Sequence, residues 1–401
     1  MAETDLTESI KATAVAALLE SSGAPPEYSL YRGVLTPRQL DAPETEIAAM
    51  LSGAAVHDLG WMRRVAVRGE DRFRWLSGMV TNTVNDLLPN TGAWNLVLNA
   101  QGRIQGDLTV WREGEELSPS RRKTTTPSSK EADRLTGTPF AGEGGLELEI
   151  AVDQYEKLIA HLDRFIIMDD VELALQGADS VGDAGAETAI GLTGPQADEV
   201  LGRLGLPVVL LPMTGTRVEW NGMNLRILRG YGVFAPHYEL WVPAFGLKHL
   251  WNGLRTAGAI AAGCATVDAF RIAEGIPLYG VDIAERDLPQ ETSQMRALHF
   301  SKGCYLGQEI VERIRSRGNV HRHLRPLELV GPAPAAGTEL MQQDGAAAGQ
   351  ITSADRLPLA QTRVFALAMI RSEAEVRDQT FTYKAGTETG TARILTAPPT
   401  L

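Results

Sequence analysis

The chain has 401 residues, 44% hydrophobic and 22% charged, and its 50 acidic against 38 basic residues give a formal net charge of −12. These values are typical of a globular protein with two or three domains, and the acidic balance argues against stable nucleic-acid binding. No run of about 18 apolar residues predicts a membrane span. An acidic N-terminus without a signal-like pattern and only two cysteines, Cys264 and Cys304, predict a cytoplasmic protein without a disulfide framework.

The first part of the chain has the patterns of an α+β fold. In chain order, the predicted elements are a helix over 8–21, strand-like residues from Val56 to Val67, a helix that opens at Asp71, a hairpin of 94–99 and 104–111 that turns at Gly102, a strand over 146–152 and a helix over 154–167. Residues 117–144 interrupt this pattern with Ser, Thr, Pro and basic residues, and they predict a mobile surface insertion.

Helical patterns continue over 246–257 and 265–275, the second with Thr266 as N-cap and Gly275 just past its end. Residues 324–395 change to short alternating runs separated by Pro, Gly and Asp, which is typical of a small β-barrel or sandwich. We therefore expect an extension over 1–45, an α+β region of two interleaved lobes over 46–318, and a C-terminal β-barrel over 319–401.

The segment Lys302-Gly303-Cys304-Tyr305-Leu306-Gly307-Gln308-Glu309 is the most informative part of the chain. A helix is predicted over 306–317, with Ile310 and Ile314 on its buried face and Gly318 as its stop. Cys304 would then lie just before the first turn. The charge of Lys302 and the free N–H groups of the helix start both favour a thiolate. The alternative is a buried cysteine between glycines that only make turns.

Other chemistries have weaker support. Cys264 has no charged neighbour and reads as inert packing. No zinc-type Cys/His spacing, nucleotide-binding glycine loop or serine nucleophile elbow is present. No metal site is predicted from this chain alone, although Cys304 could share an iron–sulfur cluster with a second protein.

Basic residues are concentrated after the cysteine segment. They are Arg313, Arg315, Arg317, His321, Arg322, His323 and Arg325, with Glu312 the one acid between 311 and 326. This strip predicts a site for a polyanion such as phosphate or a polyglutamate chain. A solvated face whose arginine stems cover apolar surface explains the same pattern equally well.

Residues 302–313 fit the pattern K-G-C-Y-x-G-Q-E-x-x-x-R, and the chain is identified from it as resembling the YgfZ-like folate-binding proteins, relatives of the glycine-cleavage T-protein. Further stretches that resemble the family are 69–72, 101–107, 268–277 and 288–291. The resemblance covers roughly residues 46–395 without the insertion. It implies a three-lobed fold around a tetrahydrofolate-binding channel, with a C-terminal β-barrel.

The resemblance also implies roles for individual residues. Cys304, assisted by Lys302, would be the functional thiol. Glu239 would hold the pterin, because a carboxylate can accept two N–H bonds from its 2-amino/N3 edge; His237 stands where the family has a small residue. Arg271 is a second folate ligand in this reading, although an intrahelical pair with Asp268 or Glu274 explains it equally well. The remaining predicted cofactor-binding residues are Asp107, Tyr305, Gln308 and Arg313.

One departure from the T-protein pattern bears on activity. T-proteins resemble Gly-Gly-Ile-x-Asp-Asp where this chain has Gly102-Arg103-Ile104-Gln105-Gly106-Asp107. Gly106 replaces the first acid, and a reaction that needs this carboxylate would lose it.

Three hypotheses follow from these patterns. The first is a tetrahydrofolate-binding factor for iron–sulfur cluster assembly or repair, and thereby for tRNA modification, which acts through Cys304 on assembly proteins or client enzymes. The second is an aminomethyltransferase or related one-carbon transferase. The third is a purely structural folate-binding adaptor. Whether the protein is an enzyme stays open at this point.

Overall fold

A computed structural model describes residues 11–21, 23, 26–114, 144–176, 187–318, 320–377 and 379–401. The start of the predicted helix over 8–21 and nearly all of the predicted insertion over 117–144 lie outside these ranges. Within them, no helix is long and apolar enough to cross a membrane.

The elements alternate between strand and helix as far as residue 317, and strands dominate after it. The helices are α1 (Ala14–Glu20), α2 (Pro43–Ser52), α3 (Arg72–Met79), α4 (Val152–Asp163), α5 (Ala197–Arg203), α6 (Leu247–Thr256), α7 (Cys264–Glu274), α8 (Gln308–Arg317) and α9 (Ser372–Arg377). The strands of the α+β part are β1 (Tyr28–Tyr31), β2 (Val34–Pro37), β3 (Ala55–Asp58), β4 (Met62–Arg68), β5 (Thr91–Leu98), β6 (Ile104–Arg112), β7 (Leu146–Ala151), β8 (Glu172–Gln176), β9 (Glu187–Thr193), β10 (Thr214–Trp220), β11 (Met223–Arg229), β12 (His237–Pro243) and β13 (Ile260–Ala262). The remaining strands are β14 (Arg322–Val330), β15 (Glu339–Met341), β16 (Ala347–Leu357), β17 (Arg363–Arg371), β18 (Thr380–Ala385) and β19 (Glu388–Ile394).

Eleven of the described strands form one sheet, in the order β13-β3-β9-β12-β11-β10-β5-β6-β7-β4-β8. Its two halves meet at a single pair of residues, Thr214 on β10 and Thr91 on β5. The chain passes between the halves at β3–β4 and again at β8–β9. One half is therefore the continuous stretch from β4 to β8, whereas the other combines β3 with β9 to β13. The strand-like residues predicted from Val56 to Val67 form two strands, because a turn at Gly60 and Trp61 ends β3 and β4 lies in the other half.

Each half-sheet buries one face against helices. In β7, Leu146, Leu148 and Ile150 enter the hydrophobic core beside α4, which leaves Glu147 and Glu149 on the opposite face. The stripe predicted on α6 packs as expected in the core of the other half. The predicted turn at Gly102 is confirmed, since Gly102 has φ of +70° between β5 and β6.

The C-terminal part closes into a barrel of six described strands, in the order β14-β17-β16-β15-β18-β19. This confirms the predicted α+β class with a C-terminal β-barrel. The barrel packs on α7 through Leu357 and Phe365.

Helix α7 begins one residue earlier than predicted. Gly263 is its N-cap, and the hydroxyl of Thr266, the predicted N-cap, instead donates to the buried carboxylate of Glu46. Gly275 ends the helix in the left-handed conformation, as predicted.

Candidate active site

A cavity of about 190 Å³ lies where the inner faces of the two half-sheets approach each other. Aromatic rings form much of its wall: Trp61, Trp94, Trp111 and Tyr231. A second cavity of about 170 Å³ adjoins it and shares Trp61, Tyr231 and Glu239 with the first. We refer to these two adjoining cavities together as the central channel.

Glu239 lies in the wall between the two cavities. It points inward from β12 because Tyr238 and Leu240 on either side of it pack into the core of the outer face. Its side chain is buried, and its Oε2 has no hydrogen-bond partner among the described residues. The imidazole Nε2 of His237 is 3.9 Å from Oε1, and burial lowers the pKa of this imidazole below its ordinary value.

Asp107 lines the first cavity from β6. Its Oδ2 accepts a hydrogen bond of 2.9 Å from the indole N–H of Trp94, and its Oδ1 accepts one of 2.6 Å from the side-chain amide of Gln154. The backbone N–H of Asp107 donates to the same amide group at 3.0 Å. The carboxylate is thus held in one orientation at the cavity wall.

The structure places residue 106 outside the cavity, so Gly106 does not remove an acid from the cavity wall. A Cβ at residue 106 would lie 2.7 Å from Gln154 Oε1 and 2.7 Å from Leu158 Cδ2, beneath helix α4 rather than in the cavity. Adjacent residues of a strand point to opposite faces, so positions 106 and 107 cannot serve the same site. The acid that faces the cavity is Asp107, and this chain retains it.

Arg271 lines the second cavity, but its guanidinium is committed within the protein. Its Nε donates to Asp268 at 2.7 Å, and its Nη1 donates to Asp282 and, at 3.1 Å, to the carbonyl of Ile276. The intrahelical pair of Arg271 with Asp268, which was the alternative explanation, is therefore present. The role of Arg271 as a folate ligand stays a prediction. Glu274, the other proposed partner, accepts instead from two backbone N–H groups of 233 and 234.

The cysteine segment lies outside the cavity lining. Cys304 is exposed, and helix α8 begins at Gln308 with Gly307 as N-cap, so the thiol precedes the helix by more than predicted. The N-cap has φ of +80°, a conformation in which the chain cannot continue a helix backward. The buried residue of α8 is Val311, whereas Ile310 and Ile314 are only half-buried.

Lys302 and Tyr305 anchor this segment to the α+β part. The Lys302 ammonium donates at 2.6 Å to the carbonyls of Val80 and Asn82, and burial lowers its pKa to about 7. Tyr305 packs in the core, where burial raises its pKa to about 12. The side-chain amide of Asn82 in turn donates to the carbonyls of Trp94 and Arg296 at 3.0 and 2.8 Å, which links the segment to two cavity residues.

Gln308 is half-buried at the start of α8, and Arg313 is exposed on it. The structure thus brings Glu239, Asp107 and Arg271 to the channel. The five predicted residues between 302 and 313 lie elsewhere: Lys302, Cys304, Tyr305, Gln308 and Arg313. The catalytic and binding roles of all these residues stay predictions.

Cys264 is buried, with its sulfur 3.1 Å from the Ser29 hydroxyl, and burial raises the pKa of its thiol.

Acids from other elements neutralise much of the basic strip. Arg322 pairs with Asp287 at 2.6 Å and Glu291 at 3.2 Å. Arg325 and His323 both contact Glu375, at 2.6 and 3.0 Å. The Arg315 guanidinium lies 4.3 Å from the ring centre of Phe300, as expected for an arginine that covers apolar surface.

Two charged residues of the cavity wall were not predicted from the sequence. Arg296 stacks on Tyr231 and Trp94, 3.9 and 4.5 Å from the ring centres, and burial lowers its pKa to about 10. Glu149, on β7, faces the cavity beside Glu239. The alternation Leu-Glu-Leu-Glu-Ile over 146–150 could have indicated an inward-facing acid, whereas no local pattern marks Arg296. No group of three or more His, Cys, Asp or Glu side chains in the described ranges could hold a metal ion.

Comparisons with known proteins agree with this architecture. Residues 22–119 match the model of the GCVT N-terminal domain family. This part of the chain is therefore similar to that family. An aminomethyltransferase of Caldanaerobacter subterraneus subsp. tengcongensis is 24% identical over 358 residues, covering 87% of this chain and 86% of that one. An aminomethyltransferase of Chlorobium luteolum is 24% identical, with 91% and 93% covered.

A solved structure shows the same fold. The crystal structure of glycine cleavage system aminomethyltransferase T from Bartonella henselae superposes with a TM-score of 0.79 at 19% identity, and covers 97% of this chain and 98% of that one. The predicted T-protein-like fold with a C-terminal β-barrel is therefore confirmed. Both sequence relatives named above are aminomethyltransferases, and the narrower YgfZ-like assignment stays a prediction.

Proposed function

We propose that this chain binds tetrahydrofolate in the central channel and supports one-carbon transfer of the aminomethyltransferase type. The observation that carries the proposal is the buried Glu239 carboxylate, whose Oε2 faces the cavity without a hydrogen-bond partner in the described part of the chain. A buried, unpartnered carboxylate oxygen is costly unless a ligand supplies the missing donors. The 2-amino and N3 groups of a pterin present two such N–H donors side by side.

The other cavity residues suit the same ligand. Trp61, Trp94 and Tyr231 offer flat apolar surfaces for a bicyclic ring and its neighbouring benzoyl group. Asp107 is held by Trp94 and Gln154 at the same wall. When tetrahydrofolate is bound it supplies the amine that receives the one-carbon unit. Asp107 would orient that amine and hold the proton that leaves it.

Titration calorimetry with tetrahydrofolate tests this proposal. Glu239→Gln should weaken binding roughly 10- to 100-fold, because the amide cannot accept both N–H bonds as a charged group. Glu219→Gln, at an exposed glutamate of β10, should leave the affinity unchanged. Failure of the wild-type protein to bind tetrahydrofolate at millimolar concentration would contradict the proposal.

A second candidate function is supported by the cysteine segment. The K-G-C-Y-x-G-Q-E-x-x-x-R pattern of 302–313 favours a YgfZ-like role in iron–sulfur cluster assembly or repair, and through it in tRNA modification. Cys304 is exposed and lies outside the channel lining, which suits a thiol that meets a protein partner rather than the folate.

Complementation of a strain that lacks such a factor tests this role. Cys304→Ala should fail to restore iron–sulfur enzyme activity while its tetrahydrofolate affinity stays within twofold of wild type. Ser301→Ala, at an exposed neighbour, is the matched control. Full complementation by Cys304→Ala would remove this function and leave the folate proposal standing.

A further inference from the structure

Glu149 is a second buried acid in the channel that the proposed function does not use. Glu149 is 4% exposed and Glu239 is 9% exposed. Both residues line the same cavity, and their carboxyl groups lie close enough to share a hydrogen bond when one of them is protonated. As two carboxylates they have no other donor for either Oε2 within the described ranges. Strands β7 and β12 belong to different half-sheets, so the two carboxyl groups approach each other across the channel.

Ionising both of two adjacent, buried carboxyl groups is energetically unfavourable, because the two negative charges repel each other and lose their hydration. One of the two groups therefore retains its proton. Glu149 is that group. Burial raises its pKa well above the ordinary value, and the charge of the neighbouring Glu239 raises it further. The Arg64 guanidinium opposes this shift without reversing it.

The charged groups near the pair are shared with other acids. Arg64 acts on Glu149 and Arg226 acts on Glu239, but both guanidinium groups also contact Glu147. The remaining charged or titratable groups are His237, Asp107, Arg296 and Arg32. Arg32 is paired with Asp153 at 3.1 Å, and Arg296 is stacked between two aromatic rings. A neutral Glu149 beside a charged Glu239 thus places one O–H donor next to one carboxylate acceptor.

We infer that Glu149 and Glu239 form a donor–acceptor pair that recognises the amino–carbonyl edge of a 4-oxopterin. This inference rests on the proposed function, since it concerns the same ligand. Glu239 accepts from the 2-amino and N3 N–H groups, and the carboxyl O–H of Glu149 donates to the adjacent 4-oxo group. A 4-amino pteridine presents a donor to this second group and leaves two donors facing each other, so the pair selects against it.

Affinity measured against pH, for tetrahydrofolate and for its 4-amino-4-deoxy analogue, tests the inference. The wild-type protein should bind tetrahydrofolate at least 10-fold more tightly than the analogue at pH 6.5. This preference should fall as the pH rises through the raised pKa of Glu149, because the group then loses its proton. Glu149→Gln keeps a donor at every pH, so its tetrahydrofolate affinity should stay within about threefold of wild type at pH 6.5 and not decline at pH 9.5.

The same amide can also turn its oxygen toward a 4-amino group, so Glu149→Gln should lose most of the discrimination. Glu149→Leu should lose 10-fold or more in tetrahydrofolate affinity. The isosteric glutamine variant decides the question if the leucine variant does not fold. Tetrahydrofolate binding with wild-type pH dependence and selectivity in Glu149→Gln would overturn this inference alone. Absence of tetrahydrofolate binding to the wild-type protein would overturn both this inference and the proposed function.

Discussion

A difference of one residue along β6 decides whether a side chain faces the channel. Asp107 faces the cavity, held by Trp94 and Gln154, while Gly106 faces helix α4. The sequence motif alone shows that one acid of a pair is missing. It does not show which face of the strand each position occupies, and this face determines the chemical consequence.

Restoring an acid at residue 106 should therefore damage the fold and not assist catalysis. Gly106→Asp would press a charged side chain against Gln154 and Leu158, at a cost of roughly 3 kcal/mol or more in the free energy of unfolding. Chemical denaturation measures this loss. Gly202→Asp is the control, because a Cβ there meets nothing within 4 Å. A stable Gly106→Asp protein with raised transfer activity would show that position 106 reaches the channel.

Lys302 should give the protein a characteristic pH dependence. Its pKa is about 7 in the folded protein against 10.5 ordinarily, because burial disfavours the charged amine. The unfolded chain therefore binds more protons between these values, and this group makes stability rise with pH from about 7 to 10.5.

Denaturation at pH 7 and pH 9.5 tests this effect of Lys302. Lys302→Met should flatten the rise by at most about 1 kcal/mol per pH unit, while also losing the hydrogen bonds to the carbonyls of Val80 and Asn82. Lys248→Met, at an exposed lysine of α6, should keep the wild-type slope. An unchanged slope in Lys302→Met would contradict the assigned burial.

At the scale of elements, the cysteine segment is fixed by two glycines that touch each other. A Cβ on Gly307 would lie 2.6 Å from the carbonyl oxygen of Asn99 and 3.0 Å from Cα of Gly102, and Gly102 in turn packs against Ile310. The turn of the β5–β6 hairpin and the start of α8 therefore form one interlocked unit. This unit explains why Cys304 keeps its place at the surface.

Gly307→Ala should separate steric crowding from backbone strain. Gly307 and Gly345 have φ of +80° and +84°, but a Cβ on Gly345 meets nothing within 4 Å. We expect Gly345→Ala to cost about 1 kcal/mol from its backbone conformation, and Gly307→Ala to cost at least twice that. Thermal and denaturant unfolding of the two variants compares them. Equal losses would show that the segment is not packed against the hairpin.

Patterns within single elements could be predicted well from the sequence. The Gly102 turn, the apolar stripe of α6 and the barrel strands after residue 320 each depend on neighbours within about ten residues. The helix starts were less accurate, because caps such as Gly307 and Gly263 are chosen by tertiary contacts. The hydroxyl of Thr266, for example, serves Glu46 rather than the helix N-terminus.

At the scale of the whole molecule, the channel exists because two half-sheets meet. Asp107, Glu149, Glu239 and Arg296 come from β6, β7, β12 and a short 3₁₀ helix, which are far apart in the sequence. No local pattern could place these four side chains around one cavity. The resemblance in sequence indicated Glu239 and Asp107, whereas Glu149 and Arg296 required the folded structure.

We propose that Asp107 is the carboxylate that orients the amine of tetrahydrofolate in the channel and holds its proton. The most direct measurement is the single-turnover rate of one-carbon transfer to tetrahydrofolate from an aminomethyl-lipoyl carrier protein. Asp107→Asn should reduce this rate about 100-fold or more while tetrahydrofolate affinity stays within threefold, and the exposed-site variant Asp163→Asn should match wild type. A wild-type rate in Asp107→Asn, or no transfer by the wild-type protein, would contradict the proposed role of Asp107.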